Sequence, residues 1–583
     1  MLPTRFPLAD VHSYRIPERE RAGLLRLDIN ERPSGAPEFV VSAVREALTS
    51  QALATYPVYA QWQTVAAQAY GVRPTELTCS NGGDEALRAI CEVFLVRDLP
   101  LVTHDPGYDM FRIWSQLLGN PFKPVALGTG FGFDMEAWQA ALPGAGLVAL
   151  VSPSNPTGTV VPRAAMEATL AAVQCPVVVD ETYADFTGAS VVDLIGQHPH
   201  LFVVRSFSKA HGVAGLRAGV VLSQAQNIDL LRKHMNPFNV NRAAVAAMTA
   251  VLGHPEATQA HVAEVNATRQ RFVRELASMG VSTGPAHANF VLADFGGKAG
   301  KVTTALAAEG ILVRDRTGSH PRLQGQVRIG IGSPAQMQRC AGALRKVLQA
   351  PPRLRALLFD LDGPLVDVSH SYRQAILETA RAFLPAELQA EASPARVEQL
   401  KRRGGLNNDW HCTAALLAEL GHPRPLDEVV TAFQARYWGS CGDGLIAREP
   451  WLLPLHWKSP LSRWKTGIVT GRPRQEALFT LRKQDWHRVF GTVVAMEDAP
   501  AKPAPDGLIQ ALGEVSANAH ETAYLGDSVD DMRAAVAAGV LPVGVLPAQA
   551  SWGDGLAEKL YEAGAHAVFA SVEEVLRWLA APV

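Results

Sequence analysis

The chain has 583 residues, more than one hydrophobic core can serve, since cores stop growing near about 250–300 residues. Apolar residues make up 48% and charged residues 19%, so each unit can bury a core, and the composition of a disordered chain is excluded. The net charge of −2 provides no basic field for nucleic acid or an anionic bilayer, and no stretch approaches the roughly 20 apolar residues of a membrane span. The expected partners are therefore small molecules, with no nucleic acid and no membrane.

The opening residues, MLPTRFPLADVHSYRIPERERAG, hold no apolar segment of secretory type, which points to a cytoplasmic protein. From about residue 75 to 350, short apolar runs (LPLVTHD, GLVALVSP, CPVVVDE, LFVVRSFS, LRAGVVLS) alternate with helix-like stretches such as RAAMEATLAAV. Runs that are apolar throughout suit strands buried on both faces of a mostly parallel sheet, with the helices as crossovers. Near residue 350 a helix-like run ending GALRKVLQA meets Pro351-Pro352, and RALLFDLDG then opens a fresh strand. Paired prolines cannot continue a helix and stiffen a connector, so the expected linker is 351–355. Beyond it the runs TGIVTG, TVVAME, TAYLGDS and LPVGVLP repeat the α/β pattern around a strand-poor stretch, about 370–455, that reads as a helical insertion. The six cysteines are scattered without a CxxC pair and read as reduced thiols with no metal or disulfide role.

Three segments concentrate chemistry in the first half: SPSNPTG (152–158), VVVDETYADF (177–186) and RSFSKAHGVAGLRAG (205–219). Each ends an expected strand, where open α/β sheets bind ligands. Together they offer an amine, a strand-end acid, hydroxyl and amide donors and an anion site, the four things pyridoxal phosphate chemistry requires. Alone, NPTG is a common turn. In this order and spacing, over about 320 residues, the segments resemble the fold-type I aminotransferases, and within them the histidinol-phosphate aminotransferase group.

That resemblance implies a large, mostly parallel sheet domain at about 42–255 and a small α/β domain from 1–41 and 256–350. It makes Lys209 the Schiff-base lysine and proton carrier, and Asp180 the partner of the pyridine nitrogen. Asn155 and Tyr183 would donate to the ring hydroxyl, and Tyr108 would stack on the ring. Ser206, Ser208 and Arg217 would bind the cofactor phosphate with the backbone N–H groups of Gly83 and Asp84, where a glycine pair opens a helix. Asn30-Glu31 matches the group's N-terminal pair, Arg328 its carboxylate-binding arginine, and Arg314 its contact to a distal substrate phosphate. Tyr56 matches a tyrosine that enters from the partner subunit, which implies a homodimer. Arg314 and Tyr56 also have plainer readings, a surface ion pair and a core aromatic. SPSNPTG in place of NPNNPTG, and the altered segment NPFNVN, bear on specificity.

In the second half, LLFDLDGPLVD sets Asp360 and Asp362 directly after a four-residue apolar strand, and the break at Gly363 lets both face one site. A lone DxDG is an acidic turn. Followed in order by GIVTG with Thr470, AKPAPD with Lys502, and LGDSVDD with Asp527 and Asp531, it resembles the haloacid-dehalogenase superfamily, a Rossmann-like domain (356–583) with a helical cap. The resemblance implies that Asp360 is the nucleophile and Asp362 the general acid and base. Asp360, Asp527 and the Asp362 carbonyl would hold Mg²⁺, with Asp531 or Asp530 behind them. Thr470 and Lys502 would hold phosphoryl oxygens. Arg373 and the segment KRRGGLNNDW (Lys401 to Trp410) are candidate substrate contacts or a solvated helix face, and Pro364 departs from the usual threonine or valine.

An aminotransferase followed by a phosphatase matches two consecutive steps of histidine synthesis, so histidinol phosphate is the shared substrate to expect. An aromatic or threonine-phosphate-type enzyme fused to a repair phosphatase, or one catalytically silent half, are the alternatives.

Overall fold

The computed structural model describes residues 20–402 and 408–580. The opening segment up to residue 19 lies outside the described residues, and of KRRGGLNNDW only Asn408, Asp409 and Trp410 have described side chains. The chain divides into two compact units, Met1–Ala341 and Gly342–Val583. A single helix, Pro334–Leu348, crosses that division and stops just before Pro351-Pro352.

The first unit is built on a seven-stranded sheet in the order Leu77–Ser80, Gly219–Leu222, Leu201–Ser206, Val177–Asp180, Leu147–Val151, Leu101–Asp105, Phe122–Ala126. Gly219–Leu222 runs antiparallel to both neighbours, and every other pairing is parallel. The central strands LVALV, VVVD and LFVVRS are buried almost throughout, as expected where helices cover both faces. Two strands had no clear apolar run. Phe122–Ala126 carries Pro124, which an edge strand tolerates, and the four-residue Leu77–Ser80 pairs only with Gly219–Leu222. A second, antiparallel sheet orders Arg314–Asp315, Gln326–Gly330, Phe290–Asp294 and Ser282–Thr283.

The second unit holds six parallel strands in the order Thr492–Val494, Lys465–Val469, Ala356–Phe359, Thr522–Gly526, Leu541–Val545, Ala567–Phe569. Read in chain order this is 3-2-1-4-5-6, so the winding direction reverses beside Ala356–Phe359, and side chains just past that strand end reach an open crevice. Between Asp362 and Thr470 the helices Tyr372–Phe383, Pro394–Arg402, Asp409–Glu419 and Leu426–Tyr437 pack on one another around Ile376, Leu416 and Phe433. Among the described residues no helix is long and apolar enough to cross a membrane, and all six cysteines are free.

Candidate active sites

In the first unit the ends of Leu147–Val151, Val177–Asp180 and Leu201–Ser206 lie side by side, and the loops they feed converge on one crevice. Asp180 is buried, and its Oδ1 accepts from Thr182 N at 3.0 Å and Thr182 Oγ1 at 2.6 Å. Both donors meet the same oxygen, leaving Oδ2 without a described donor. Burial pushes the carboxyl up to about 6, partly offset by the Thr182 hydrogen bonds. Tyr183 is buried and its Oη accepts from Asn30 Nδ2 at 3.0 Å. Lys209 Nζ donates to Ile29 O at 3.3 Å and lies 5.8 Å from the centre of the Tyr183 ring.

The neighbouring helix, Gly82–Phe94, starts against the strand pair. Gly82 has φ +81, a backbone conformation that L side chains rarely adopt, and a Cβ there would fall 2.6 Å from the guanidinium of Arg217 at Nη2. Arg217 Nη2 donates to Asp84 Oδ2 at 2.9 Å, and Tyr108 Oη donates to the other Asp84 oxygen. Ser206 and Ser208 are buried beside it, with Ser208 N donating to Ser206 Oγ at 3.2 Å. The arrangement joins unpaired N–H groups at a helix start to two hydroxyls and a guanidinium, an anion cradle.

Across the crevice, Arg328 Nη1 donates to Asn155 Oδ1 and Nη2 to Asp28 O, both at 2.6 Å. The antiparallel register sets Arg314 directly opposite Arg328, which puts both on one face of the small sheet. Arg314 forms no ion pair among the described residues, so its surface-ion-pair reading does not hold. Nor is Tyr56 a core aromatic: it is 72% exposed and stacks on Phe238 at 4.3 Å. Glu31 is ion-paired to Arg21 at 2.9 Å.

In the second unit Asp360, Thr470 and Asp527 each follow one of three adjacent strands. One oxygen from each of Asp360, Asp527 and Asp531 lies within 4.8 Å of the others. Lys502 Nζ sits 3.1 Å from Asp360 Oδ1 and 2.6 Å from Asp531 Oδ1. Burial pushes the Asp360 carboxyl up to about 7; Lys502 opposes this, and the charges of Asp531 and Asp362 add to it. Burial, with the charges of Asp531 and Asp360, drives Asp527 well above the carboxylate range too. For Asp531, burial is outweighed by Lys502 and the Ser528 hydrogen bonds, which hold it below the ordinary value. The close approach depends on Gly363, whose φ is +92 and where a Cβ would fall 1.9 Å from Asp527 Oδ2.

The Asp362 side chain stands apart from the three clustered carboxylates. Its Oδ1 accepts from Arg472, and Thr470 Oγ1 accepts from Arg472 N at 3.1 Å. A cavity of about 410 Å³ opens over Asp360, Asp362, Thr470 and Lys502; Arg373, Asp409, Trp410 and Asp530 also line it.

Residues 22–344 match the family model for aminotransferase class I and II, and residues 354–539 match that for haloacid dehalogenase-like hydrolase. The chain belongs to the class I and II aminotransferases. Its second unit is a haloacid dehalogenase-like hydrolase domain. Over 328 residues it is 30% identical to histidinol-phosphate aminotransferase 1 of Carboxydothermus hydrogenoformans, covering 56% of this chain and 93% of that one. It is 33% identical over 339 residues to the histidinol-phosphate aminotransferase of Aromatoleum aromaticum, with 56% and 94% covered. The crystal structure of the Sinorhizobium meliloti histidinol-phosphate aminotransferase in complex with pyridoxal-5'-phosphate aligns with a TM-score of 0.52 at 28% identity, covering 57% of this chain and 92% of that one.

Beyond the residues picked out by motif, this aminotransferase chain holds functional neighbours that no motif marked. His104 is buried with Nε2 3.0 Å from Ser154 Oγ, supporting the loop that presents Asn155, and burial pushes its imidazole down to about 4. Arg472 stands two residues after Thr470 in TGRPR, so its position was a usable signal; its partner Glu449 lies in no recognisable pattern.

Two outcomes follow from the buried carboxylates. Asp180 has its folded-state pKa above the unfolded value, so its ionisation costs stability as pH rises from about 4 through about 6. Without cofactor, Asp180→Asn should therefore stabilise the protein at pH 7 by about 1–3 kcal/mol, with the gain vanishing near pH 4, as thermal unfolding at both pH values will read. Gly363→Ala should push Asp527 away and lower hydrolase turnover by about 100-fold or more with the fold retained, measured as kcat alongside circular dichroism.

Proposed function

We propose that this chain catalyses two reactions: transamination between histidinol phosphate and 2-oxoglutarate (equivalently imidazole-acetol phosphate and glutamate), and magnesium-dependent hydrolysis of histidinol phosphate. The arginine pair carries the first part. Arg328, tied to Asn155 across the crevice, and Arg314, opposite it in register with no ion-pair partner among the described residues, offer two guanidinium groups to the substrate's phosphate or to the carboxylates of glutamate. The relatives' names support the same reading.

Pyridoxal phosphate suits the first site. The open Oδ2 of Asp180, the raised pKa of that carboxyl and the Gly82–Arg217 cradle are the complements of a protonated ring nitrogen and a phosphate. When bound, the cofactor supplies an aldehyde for the substrate amine and a ring that withdraws electrons. The chain would do the rest: Lys209 Nζ would hold the aldehyde and carry the proton, and Asp180 would keep a proton on the ring nitrogen. Asn155 and Tyr183 would bind the ring hydroxyl and Tyr108 would cover the ring. Ser206, Ser208, Arg217 and the N–H groups of Gly83 and Asp84 would anchor the phosphate. Asn30 closes the site from the N-terminal segment.

In the second site Asp360 attacks phosphorus while the bond to the leaving oxygen breaks, and Asp362 gives that oxygen its proton. Water then attacks the phosphorylated Asp360, and Asp362 takes a proton back. Thr470 and Lys502 hold the phosphoryl oxygens. Two buried carboxylates and a half-buried third around one lysine are an oxygen donor set with surplus negative charge, which a divalent ion such as Mg²⁺ would offset. Asp360, Asp527 and the Asp362 carbonyl would hold it, with Asp531 behind. The exposure of Tyr56 among exposed Leu53, Val58 and Phe238 supports a homodimer in which Tyr56 enters the partner's site. The six free cysteines fit a reducing, cytoplasmic setting.

The test uses the full chain with Mg²⁺. Phosphate should be released from histidinol phosphate in preference to generic phosphomonoesters. Asp360→Asn should abolish that release and leave transamination intact; Lys209→Ala should do the reverse. Release no faster than from generic phosphomonoesters would reject the substrate assignment.

A further inference from the structure

Beneath the phosphatase cavity lies a buried ionic cluster outside the metal and phosphoryl positions. Arg472 is 1% exposed, and its Nε and Nη2 both sit 2.5 Å from Asp362 Oδ1. No described donor meets Asp362 Oδ2, and that side chain keeps 27% exposure where it lines the cavity. On its other edge, Arg472 Nη1 donates to Glu449 Oε2 at 2.9 Å and to Thr480 Oγ1 at 3.1 Å. Glu449 Oε1 in turn accepts from Ser371 Oγ at 2.6 Å and Tyr437 Oη at 3.1 Å. The Tyr372 ring stacks on Tyr437 at 4.1 Å and lies 5.2 Å from the guanidinium carbon, while its hydroxyl donates to Glu476 at 2.7 Å.

These residues come from separate parts of the domain. Arg472, Glu476 and Thr480 belong to the sheet-bearing core; Ser371 and Tyr372 stand where the chain enters the helical insertion; Tyr437 is in its last long helix; and Glu449 stands where the chain returns. The two crossing strands run together there, with Asp367 N donating to Pro450 O at 3.0 Å and Leu452 N to Leu365 O at 2.8 Å. A buried guanidinium at that junction is no incidental surface pair, because a charge so placed is tolerated only while it keeps its partners.

We propose that Arg472 is a positioning residue for proton transfer: it holds Asp362 by one oxygen, keeps the other for the leaving group, and makes that orientation depend on the helical insertion through Glu449 and Tyr437. Lysine could supply the charge but not the planar fork that meets Asp362 on one edge and Glu449 on the other. The inference rests on the phosphatase reading of this site.

A role in orienting the proton donor has a signature that a merely structural role lacks. Protonation matters greatly for an alkyl leaving group and little for p-nitrophenolate, a stable anion. In the full-length chain with Mg²⁺, Arg472→Lys should lower kcat for an alkyl phosphomonoester such as glycerol phosphate far more than for p-nitrophenyl phosphate, raising the aryl-to-alkyl ratio about tenfold or more. Glu449→Gln, nearly isosteric and leaving Arg472 in place, should raise the same ratio by about threefold, and it decides the matter if Arg472→Lys does not fold. A ratio unchanged from wild type in the folded variants overturns the proposal even where both rates fall. Wild-type protein inactive on both esters and on histidinol phosphate would instead overturn the phosphatase reading, and the inference with it.

Discussion

A carboxylate buried at the end of parallel strands is costly to ionise, and both halves of this molecule are organised around one. Asp180 is driven up to about 6 and Asp360 to about 7, in each case chiefly by loss of water. Neither is fully neutralised by its protein neighbours. Thr182 gives Asp180 two hydrogen bonds but no charge, and Lys502 divides a single charge between Asp360 and Asp531. On the proposed function each set would host a cation: a protonated ring nitrogen against Asp180, a divalent ion among Asp360, Asp527 and Asp531.

Sheet topology brings the acids to their neighbours. In the second unit, strands Lys465–Val469, Ala356–Phe359 and Thr522–Gly526 are adjacent, so residues far apart in the chain leave the sheet side by side. In the first, adjacent parallel strands deliver the loops of Asn155, Asp180 and Lys209 in the same way. Glycine decides how closely these ends approach. Gly82 leaves room for Arg217 and Gly363 for Asp527, and in both places a methyl group would occupy the space of a functional side chain.

Much of this was legible in the linear text. The apolar runs VVVD, LFVVRS and ALLF announce buried strands because strands covered on both faces cannot alternate polar and apolar residues. Their polar terminators mark the crevice for the same reason: a side chain just past a buried strand end is the first that can meet a ligand. Less legible were Phe122–Ala126, an edge strand interrupted by Pro124, and Leu77–Ser80, four residues long, since neither has enough length to impose a period. Reading Tyr56 or Arg314 as ordinary core or surface residues was open in the text and closed by the fold, which leaves the tyrosine on the surface and sets the arginine opposite Arg328.

By itself the sequence determined the class of fold and the two families to which the units belong, because these depend on residue type and on local spacing along a strand end. Tertiary structure alone decided the pairings that act through space: Arg328 with Asn155, Arg314 beside Arg328, Lys502 shared between Asp360 and Asp531, and Arg472 between Asp362 and Glu449. Local periodicity carries no information about a partner that a sheet register or a helical insertion brings near from a distant stretch of chain. Charge placement in a dry crevice is set by those distant partners.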